Sequence, residues 1–114
     1  MGNKISAGSL YHKVIFDLIE EVEDGKGGFD QVAVTFETRA HIRFLRGGET
    51  VQAARLQGRQ PVVVTVRRSS KSMQIDADTV MRDMRTGTVY NIRAVVPTED
   101  RQFIEITAES GVAV

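Results

Sequence analysis

The sequence Arg-Gly-Gly-Glu-Thr-Val-Gln-Ala-Ala-Arg-Leu-Gln-Gly-Arg-Gln-Pro, from Arg46 to Pro61, contains the chain's one helical pattern, between stretches typical of strands. Glycines lie on both sides of residues that favour helix, and the proline at its end cannot continue one. The pattern predicts a short helix, or helical loop, inserted between two strands. Because so short a helix is marginal by itself in water, we expect packing or a partner molecule to hold it.

Length and composition predict a single folded domain. The chain has 114 residues, which is enough to bury one core and too few for two. Hydrophobic residues make up 41% of the sequence and charged residues 26%, as is ordinary for globular domains. We therefore expect one domain over residues 1–114, with an N-terminal arm at 1–8 and a C-terminal tail at 109–114.

The charge balance and the lack of cysteine exclude several classes of site. Fifteen basic and fifteen acidic residues give a net charge of zero, so any nucleic-acid contact requires a local patch. Without cysteine there is no disulfide framework, no thiol nucleophile and no thiolate ligand for structural zinc. No apolar run approaches the roughly 20 residues of a membrane span, and we expect no membrane partner.

Period-two alternation predicts strands on both sides of the helical pattern, including Val14, Phe16 and Leu18 before it. Several short strands with a single short helix favour a mainly β fold, a small antiparallel β-barrel or sandwich, over a βαβ fold. The predicted elements are a strand at 9–19, an acidic loop at 20–28, strands at 31–38 and 40–45 separated by a bend or bulge at Thr38 and Arg39, a strand at 61–68, a hairpin of 80–85 and 88–95 around Thr86-Gly87, a turn at 97–101 and a strand at 102–108.

The sequence offers little for catalysis or metal binding. It has no Walker or Rossmann phosphate loop and no serine in a G-x-S-x-G elbow, and His41 falls on a polar strand face without a partner. Asp76 and Asp78 have the spacing of a carboxylate pair on one strand face, although a turn explains the same residues. The loop around Asp24 lacks the alternating acids of a calcium loop. We expect no enzyme activity, cofactor or metal.

A basic segment follows the strand at 61–68. Arg67, Arg68 and Lys71 lie with three serines in a turn that could contact phosphate. No aromatic residue is interleaved to stack on bases, so a solvated loop is the favoured explanation of the segment.

The segments also carry a family resemblance through their order and spacing. The stretches that carry it are Gly8-Ser9-Leu10, His12-Lys13-Val14-Ile15, Asp24-Gly25-Lys26-Gly27-Gly28, Ala40-His41-Ile42-Arg43, Glu49 to Leu56, Val64-Thr65-Val66-Arg67, Met81-Arg82, Tyr90-Asn91-Ile92 and Arg101 to Glu109. In this order the chain resembles the head-tail joining, or head completion, proteins of long-tailed bacteriophages, which are also called head-closure, stopper or adaptor proteins. It departs from them at Phe36, where Trp is frequent, and at Lys13, where Arg is usual.

The resemblance implies a β-barrel that assembles into a homo-oligomeric ring between the portal complex and the tail of a virion. There it would close the DNA channel and offer a surface for tail docking. The implied partners are further copies of the chain, a portal-side adaptor, a tail terminator or tail-tube protein, and double-stranded DNA in the lumen. The implied location is the virion neck, after assembly in the bacterial host cytoplasm.

Within that ring, the helical insertion would lie toward the lumen or the adjoining ring. Its polar contacts would come from Arg46, Glu49, Gln52, Arg55, Gln57 and Arg59. Two alternatives remain open from the sequence. One is another neck or tail protein, such as an adaptor or a tail terminator. The other is a free nucleic-acid-binding barrel, which would bind DNA as an isolated subunit with strong salt dependence.

Overall fold

Six antiparallel strands close into a barrel in the order β1-β2-β3-β6-β5-β4. The computed structural model describes residue 8 and residues 10–111, so the predicted N-terminal arm and residues 112–114 lie almost wholly outside it. The elements are β1 His12–Glu23, β2 Phe29–Phe44, α1 Glu49–Leu56, β3 Gln60–Arg67, a 3-10 turn Ser72–Gln74, β4 Val80–Asp83, β5 Val89–Pro97 and β6 Phe103–Ser110. The mainly β prediction with one inserted helix is confirmed, and the architecture is the barrel.

Alternate side chains of the strands fill the barrel interior. Phe16 on β1 is completely buried and faces Phe36 on β2, with the two rings stacked at a centroid distance of 6.2 Å. The period-two prediction is confirmed on β1 and β3, where the inward side chains are almost fully buried: Val14, Phe16, Leu18, Val62, Val64 and Val66. Removing these apolar side chains from water supplies the main driving force for closing the barrel.

β2 is one continuous strand of 16 residues, and the bend or bulge predicted at Thr38 and Arg39 is wrong. Its register with β1 runs without a break from the pair His12–Ala40 to the pair Glu23–Phe29. Thr38 occupies an inward position in phase with its apolar neighbours and is half-buried. A polar residue therefore interrupts the apolar pattern without interrupting the strand.

The hairpin of β1 and β2 extends beyond the barrel. β1 continues to Glu23, so the loop predicted at 20–28 shrinks to residues 24–28. β4 pairs with β1 only at residues 14–17, and β3 pairs with β2 only at residues 40–44. Residues 19–33 therefore form a two-stranded extension, here called the β1–β2 ribbon. The longest dimension of the molecule, 52 Å against 33 and 25 Å, agrees with such a projection.

The C-terminal half follows the predicted order with two corrections. The β4–β5 hairpin and its Thr86-Gly87 turn are confirmed, and Gly87 adopts a φ of 76°. β6 continues to Ser110, so Glu109 and Ser110 belong to a strand and not to the predicted tail. A register irregularity between Ile92 and Ala94 in β5, which the sequence did not indicate, displaces Arg93 from the regular ladder.

Candidate functional site

The helical insertion, residues 46–59, leaves the barrel between β2 and β3. Within it α1 spans Glu49–Leu56, as the sequence predicted. Gly48 precedes the helix with a φ of 91° and Gly58 follows it with a φ of 81°, so both ends use backbone conformations that favour glycine. No side chain caps the helix N-terminus. Glycine geometry thus marks both ends, and at the C-terminal end the amides of Gln57, Gly58 and Arg59 also donate to carbonyls of the last turn.

α1 packs lightly on the barrel. Ala54 is its one buried residue, and β3 is the element it contacts most. Leu56 is 89% exposed, although a surface helix normally buries an apolar stripe on its protein side. Because intramolecular packing covers so little of the helix, most of its surface is available to another molecule.

The residues predicted as polar contacts of the insertion fall into two groups. Five are exposed to solvent: Arg46, Glu49, Gln52, Arg55 and Gln57. Gln52 and Arg55 line a shallow depression with the exposed Leu56. Glu49 is a negative charge at the positive N-terminal end of the helix dipole, and Arg55 is a positive charge at its negative C-terminal end, so both stabilise the helix.

The sixth predicted residue, Arg59, is bound within the fold. Its guanidinium donates to Gln57 Oε1 at 2.6 Å and lies 3.5 Å from Glu109 Oε1. Glu109 Oε2 in turn accepts hydrogen bonds from Arg93 Nε at 3.2 Å and Nη2 at 3.1 Å. The Glu109 side chain is only 11% exposed. This Glu109 ion-pair cluster (Arg59, Arg93 and Glu109) connects the end of the insertion to β5 and β6.

Backbone contacts reinforce the same side of the insertion. Gln60 Nε2 donates to the carbonyls of Leu45 at 2.9 Å and Pro61 at 2.7 Å, which joins the end of β2 to the start of β3. Gly111 approaches Gly58 so closely that a Cβ added at Gly111 would lie 2.2 Å from the Gly58 carbonyl oxygen. The insertion is therefore held at its C-terminal end by the end of β6. The sequence does not indicate this contact, because its pattern predicts a C-terminal tail from Glu109 onward.

The predicted phosphate-contacting residues have three different surroundings. Arg67 is exposed at the end of β3. Arg68 Nε donates to Met73 Sδ at 3.3 Å. Lys71 Nζ forms an ion pair with Glu20 on β1, which neutralises its charge locally. The segment itself is an ordered turn in which the buried Ser72 hydroxyl accepts the Ser69 amide at 2.8 Å.

The acidic positions considered from the sequence serve turns. Asp76 Oδ1 accepts the amide of Asp78 at 2.9 Å and the hydroxyl of Thr79 at 3.2 Å. Asp24 Oδ1 accepts the amides of Lys26 at 2.7 Å and Gly28 at 3.1 Å. Among residues 8 and 10–111, no three His, Cys, Asp or Glu residues are grouped so that they could hold a metal ion. In the same part of the chain, no helix has the length and apolar character to cross a membrane.

The sequence matches a model of the phage head completion proteins over residues 5–111. The chain belongs to the phage head completion protein family. The match covers all six strands of the barrel, and it confirms the resemblance found in the order of the sequence motifs. This head completion protein is therefore a structural protein of the phage head-tail region, located in the virion. Membership of a structural family implies a non-enzymatic role.

Two solved structures share the fold. A protein of Shigella flexneri 2a, determined in solution, superposes with a TM-score of 0.61 at 16% identity, covering 96% of this chain and all of that one (100%). A chain from the virion of a native gene transfer agent particle superposes with a TM-score of 0.54 at 19% identity, covering 91% of this chain and 97% of that one. At these identities the likeness shows the fold. Comparison with curated proteins found no match.

Proposed function

We propose that this head completion protein forms a homo-oligomeric ring in the neck of a tailed phage or phage-like particle. The ring lies between a portal-side adaptor and the tail, closes the DNA channel and provides the surface on which the tail docks. The observation that carries the proposal is α1, which leaves a closed barrel with a single buried residue in a chain of this family. A helix with so little support of its own is suited to contact a neighbouring ring or the channel contents.

The proposed closing element is the helical insertion. Elements that rearrange during assembly come from the least stable part of a fold, and α1 has the light packing that this requires. Arg46, Glu49, Gln52, Arg55 and Gln57 face the lumen or the adjoining ring in this proposal. Arg59 instead restrains the insertion through Glu109.

Genomic DNA is the proposed content of the channel. Arg46 and Arg55 are exposed cations on the insertion, and arginine contacts phosphate oxygens without regard to sequence. At the end of β3 and in the turn that follows it, Arg67 and Arg68 have no acidic partner among residues 8 and 10–111 and are the cations available there for phosphate. Lys71 contributes less, because Glu20 already neutralises it.

Electron microscopy of particles assembled without this protein tests the neck function. We expect tailless heads that have lost their DNA, and normal tailed particles would refute the proposal. In complete particles, the copy number beside the portal ring and the proteins on each side distinguish a stopper from an adaptor or a tail terminator. DNA binding by the isolated chain tests the free-barrel alternative, which predicts a submicromolar, salt-dependent Kd.

A matched pair of variants tests the role assigned to the insertion. Gln52→Ala with Arg55→Ala changes the exposed face of α1, and Arg82→Ala changes an exposed cation on β4 as a control. We expect the α1 variant to fold normally and to lower the yield of DNA-filled, tailed particles, while the control does not. A neck structure that places all five exposed side chains on the outer wall would contradict the assignment. An identical, rigid α1 in the isolated and assembled protein would contradict a closing movement.

A further inference from the structure

Unlike the barrel strands, the β1–β2 ribbon has no further strand paired along either of its edges. Beyond Asp17 its strands pair only with each other, and the ion pair of Glu20 with Lys71 attaches only its base. A two-stranded ribbon is at best marginally stable in water when neither face is packed. Packing against another molecule would therefore stabilise a ribbon of this length.

One face of the ribbon combines exposed apolar side chains with carboxylates. Residues that alternate with the inward Phe16 and Leu18 lie on this outer face, among them Ile19, which is 62% exposed. Phe29, opposite Glu23, is 66% exposed on the same face. The face borders a groove of about 330 Å³ lined by Asp17, Ile19, Glu21, Gln31, Gln74, Asp76, Asp78 and Thr79. The partner it fits is a surface that is basic and partly apolar.

The local charge excludes nucleic acid as the occupant of this face. Asp17, Glu21 and Glu23 lie on this face, and residues 17–30 contain only one basic residue, although the chain as a whole is neutral. Phosphates would be repelled by this excess of negative charge. A basic protein surface would be attracted and oriented by it.

The complementary surface lies on the same hairpin, at its barrel end. Lys13 on β1 is directly opposite Arg39 on β2, and Arg43 follows four residues later on the same outer face. All three are exposed. Lys13 has an exposed ion pair with Glu37 at 3.0 Å, whereas Arg43 has no acidic partner in the described part of the chain. Like charges directly opposite one another destabilise a sheet unless another group neutralises them.

The acidic and basic regions cannot neutralise each other within one molecule. Arg39 and Arg43 are eight and twelve residues along β2 from Gln31, the partner of Glu21, which corresponds to roughly 27 and 40 Å of strand. The Debye length at physiological salt is only about 8 Å, so attraction over these distances is screened. Between two molecules, by contrast, the two regions can come into direct contact.

We propose that the outer face of the β1–β2 ribbon docks on the basic barrel face of a second copy of this chain. Glu21 and Glu23 of one copy meet Arg39 and Arg43 of the next, and Ile19 and Phe29 pack against the aliphatic stems of those arginines. This head-to-tail contact uses two different surfaces, so its repetition generates a ring when the rotation closes. The inference rests on the ring of the proposed function and assigns the contact that forms it.

Charge reversal tests the contact by sedimentation velocity of the purified chain at low ionic strength. We expect the wild type to self-associate and to dissociate as salt is added. The pair Glu21→Lys and Glu23→Lys, or the pair Arg39→Glu and Arg43→Glu, should each weaken association by about ten- to a hundredfold. All four substitutions together should restore it. A monomeric wild type at high protein concentration and low salt, or no recovery in the fourfold variant, would overturn the proposal.

Engineered cysteines locate the contact, because the natural chain has none. Gln31→Cys on the ribbon and His41→Cys on the basic face should form a disulfide between copies when the two variants are mixed and oxidised. Ala94→Cys on β5, three strands from β2 around the barrel, is the control partner for Gln31→Cys and should cross-link much less. Equal cross-linking of both mixtures would refute the assigned surface.

Two further readouts separate this inference from the neck function itself. Circular dichroism establishes that each variant folds. If basic-face reversal leaves association unchanged but abolishes DNA binding, the basic face is a phosphate surface and the proposed contact is wrong. If association fails to respond while particles lacking the protein still lose their tails and DNA, the neck function stands and the ring uses another contact.

Discussion

Gly111→Ala tests whether the end of β6 holds the helical insertion in place. Gly111 has a φ of 81°, and a methyl group there would lie 2.2 Å from the Gly58 carbonyl oxygen. The left-handed conformation costs an alanine about 1 kcal/mol. To relieve the contact, the Gly58 region or the end of β6 must also move. We estimate that this movement lowers the free energy of unfolding by a further amount of about 1–2 kcal/mol.

Gly87→Ala provides the matched control. Gly87 has a nearly equal φ of 76°, but nothing lies within 4 Å of the position of an added Cβ. It should therefore lose only about 1 kcal/mol for the backbone conformation. The difference between the two variants isolates the contact between Gly111 and Gly58.

Thermal unfolding and amide hydrogen exchange measure the two parts of this prediction. We expect the melting temperature to fall by about 4 °C for Gly87→Ala and by about 10 °C for Gly111→Ala. Exchange at the amides of residues 57–60 should accelerate only in Gly111→Ala, because that variant displaces the end of the insertion. Equal losses of stability, or unchanged exchange at those amides, would show that β6 does not restrain the insertion.

Three further predictions concern the core, the Glu109 ion-pair cluster and the buried tyrosine. In chemical denaturation, Phe16→Ala should lower the free energy of unfolding by about 3–5 kcal/mol, because it leaves a cavity at a fully buried site. The control Leu56→Ala, at an exposed site, should change the free energy of unfolding by less than about 0.5 kcal/mol. Glu109→Ala leaves two arginines without their carboxylate and should cost about 1–2 kcal/mol, with faster exchange in the insertion; unchanged exchange would contradict the restraint. Burial, and secondarily the charge of Asp83, raises the pKa of Tyr90 above its ordinary value of 10.0, so the folded state holds this proton more tightly than the unfolded state does. That contribution to stability is complete below about pH 10 and is lost as the pH rises through the folded pKa. In denaturation measured at increasing alkaline pH, the free energy of unfolding should therefore fall less steeply for Tyr90→Phe than for the wild type.

Local sequence patterns predicted the parts of the fold that local physics determines. Alternation identified the inward side chains of β1 and β3, because successive residues of a strand point to opposite faces. Glycine marked both ends of α1 and the β4–β5 turn, where positive φ is required. These features depend on residues close together in the chain and can be read from it directly.

The extent of the ribbon could not be predicted in the same way. Residues 20–23 are mostly acidic and exposed, and their composition is typical of a loop. They are a strand because each pairs with a residue of β2, from Glu20 with Val32 to Glu23 with Phe29. Thr38 misled the prediction for the opposite reason, since a polar residue at an inward position suggested a break that continuous pairing with Val14 prevents.

The Glu109 ion-pair cluster was also beyond local reasoning. Its members come from the end of the insertion, an irregular position of β5 and the end of β6, so only the closed barrel brings them together. Arg59 lies at the end of the insertion, and its predicted role as a polar contact to the lumen or the adjoining ring stays a prediction. The structure gives it two partners within the chain, Gln57 and Glu109.

The insertion is restrained unequally at its two ends, and this limits how it can move in the proposed function. At the start, a Cβ added at Gly47 or Gly48 would have no atom within 4 Å, so neighbouring groups do not hold these two glycines as Gly111 holds Gly58. At the end, Arg59 and Gly58 are held against β6 by the ion pair and the close approach of Gly111. A displacement of α1 that keeps the end fixed must therefore be absorbed at residues 46–48. A larger displacement must first break the contact of Arg59 with Glu109, at a cost of about 1 kcal/mol, which is small against the free energy of a typical specific protein interface.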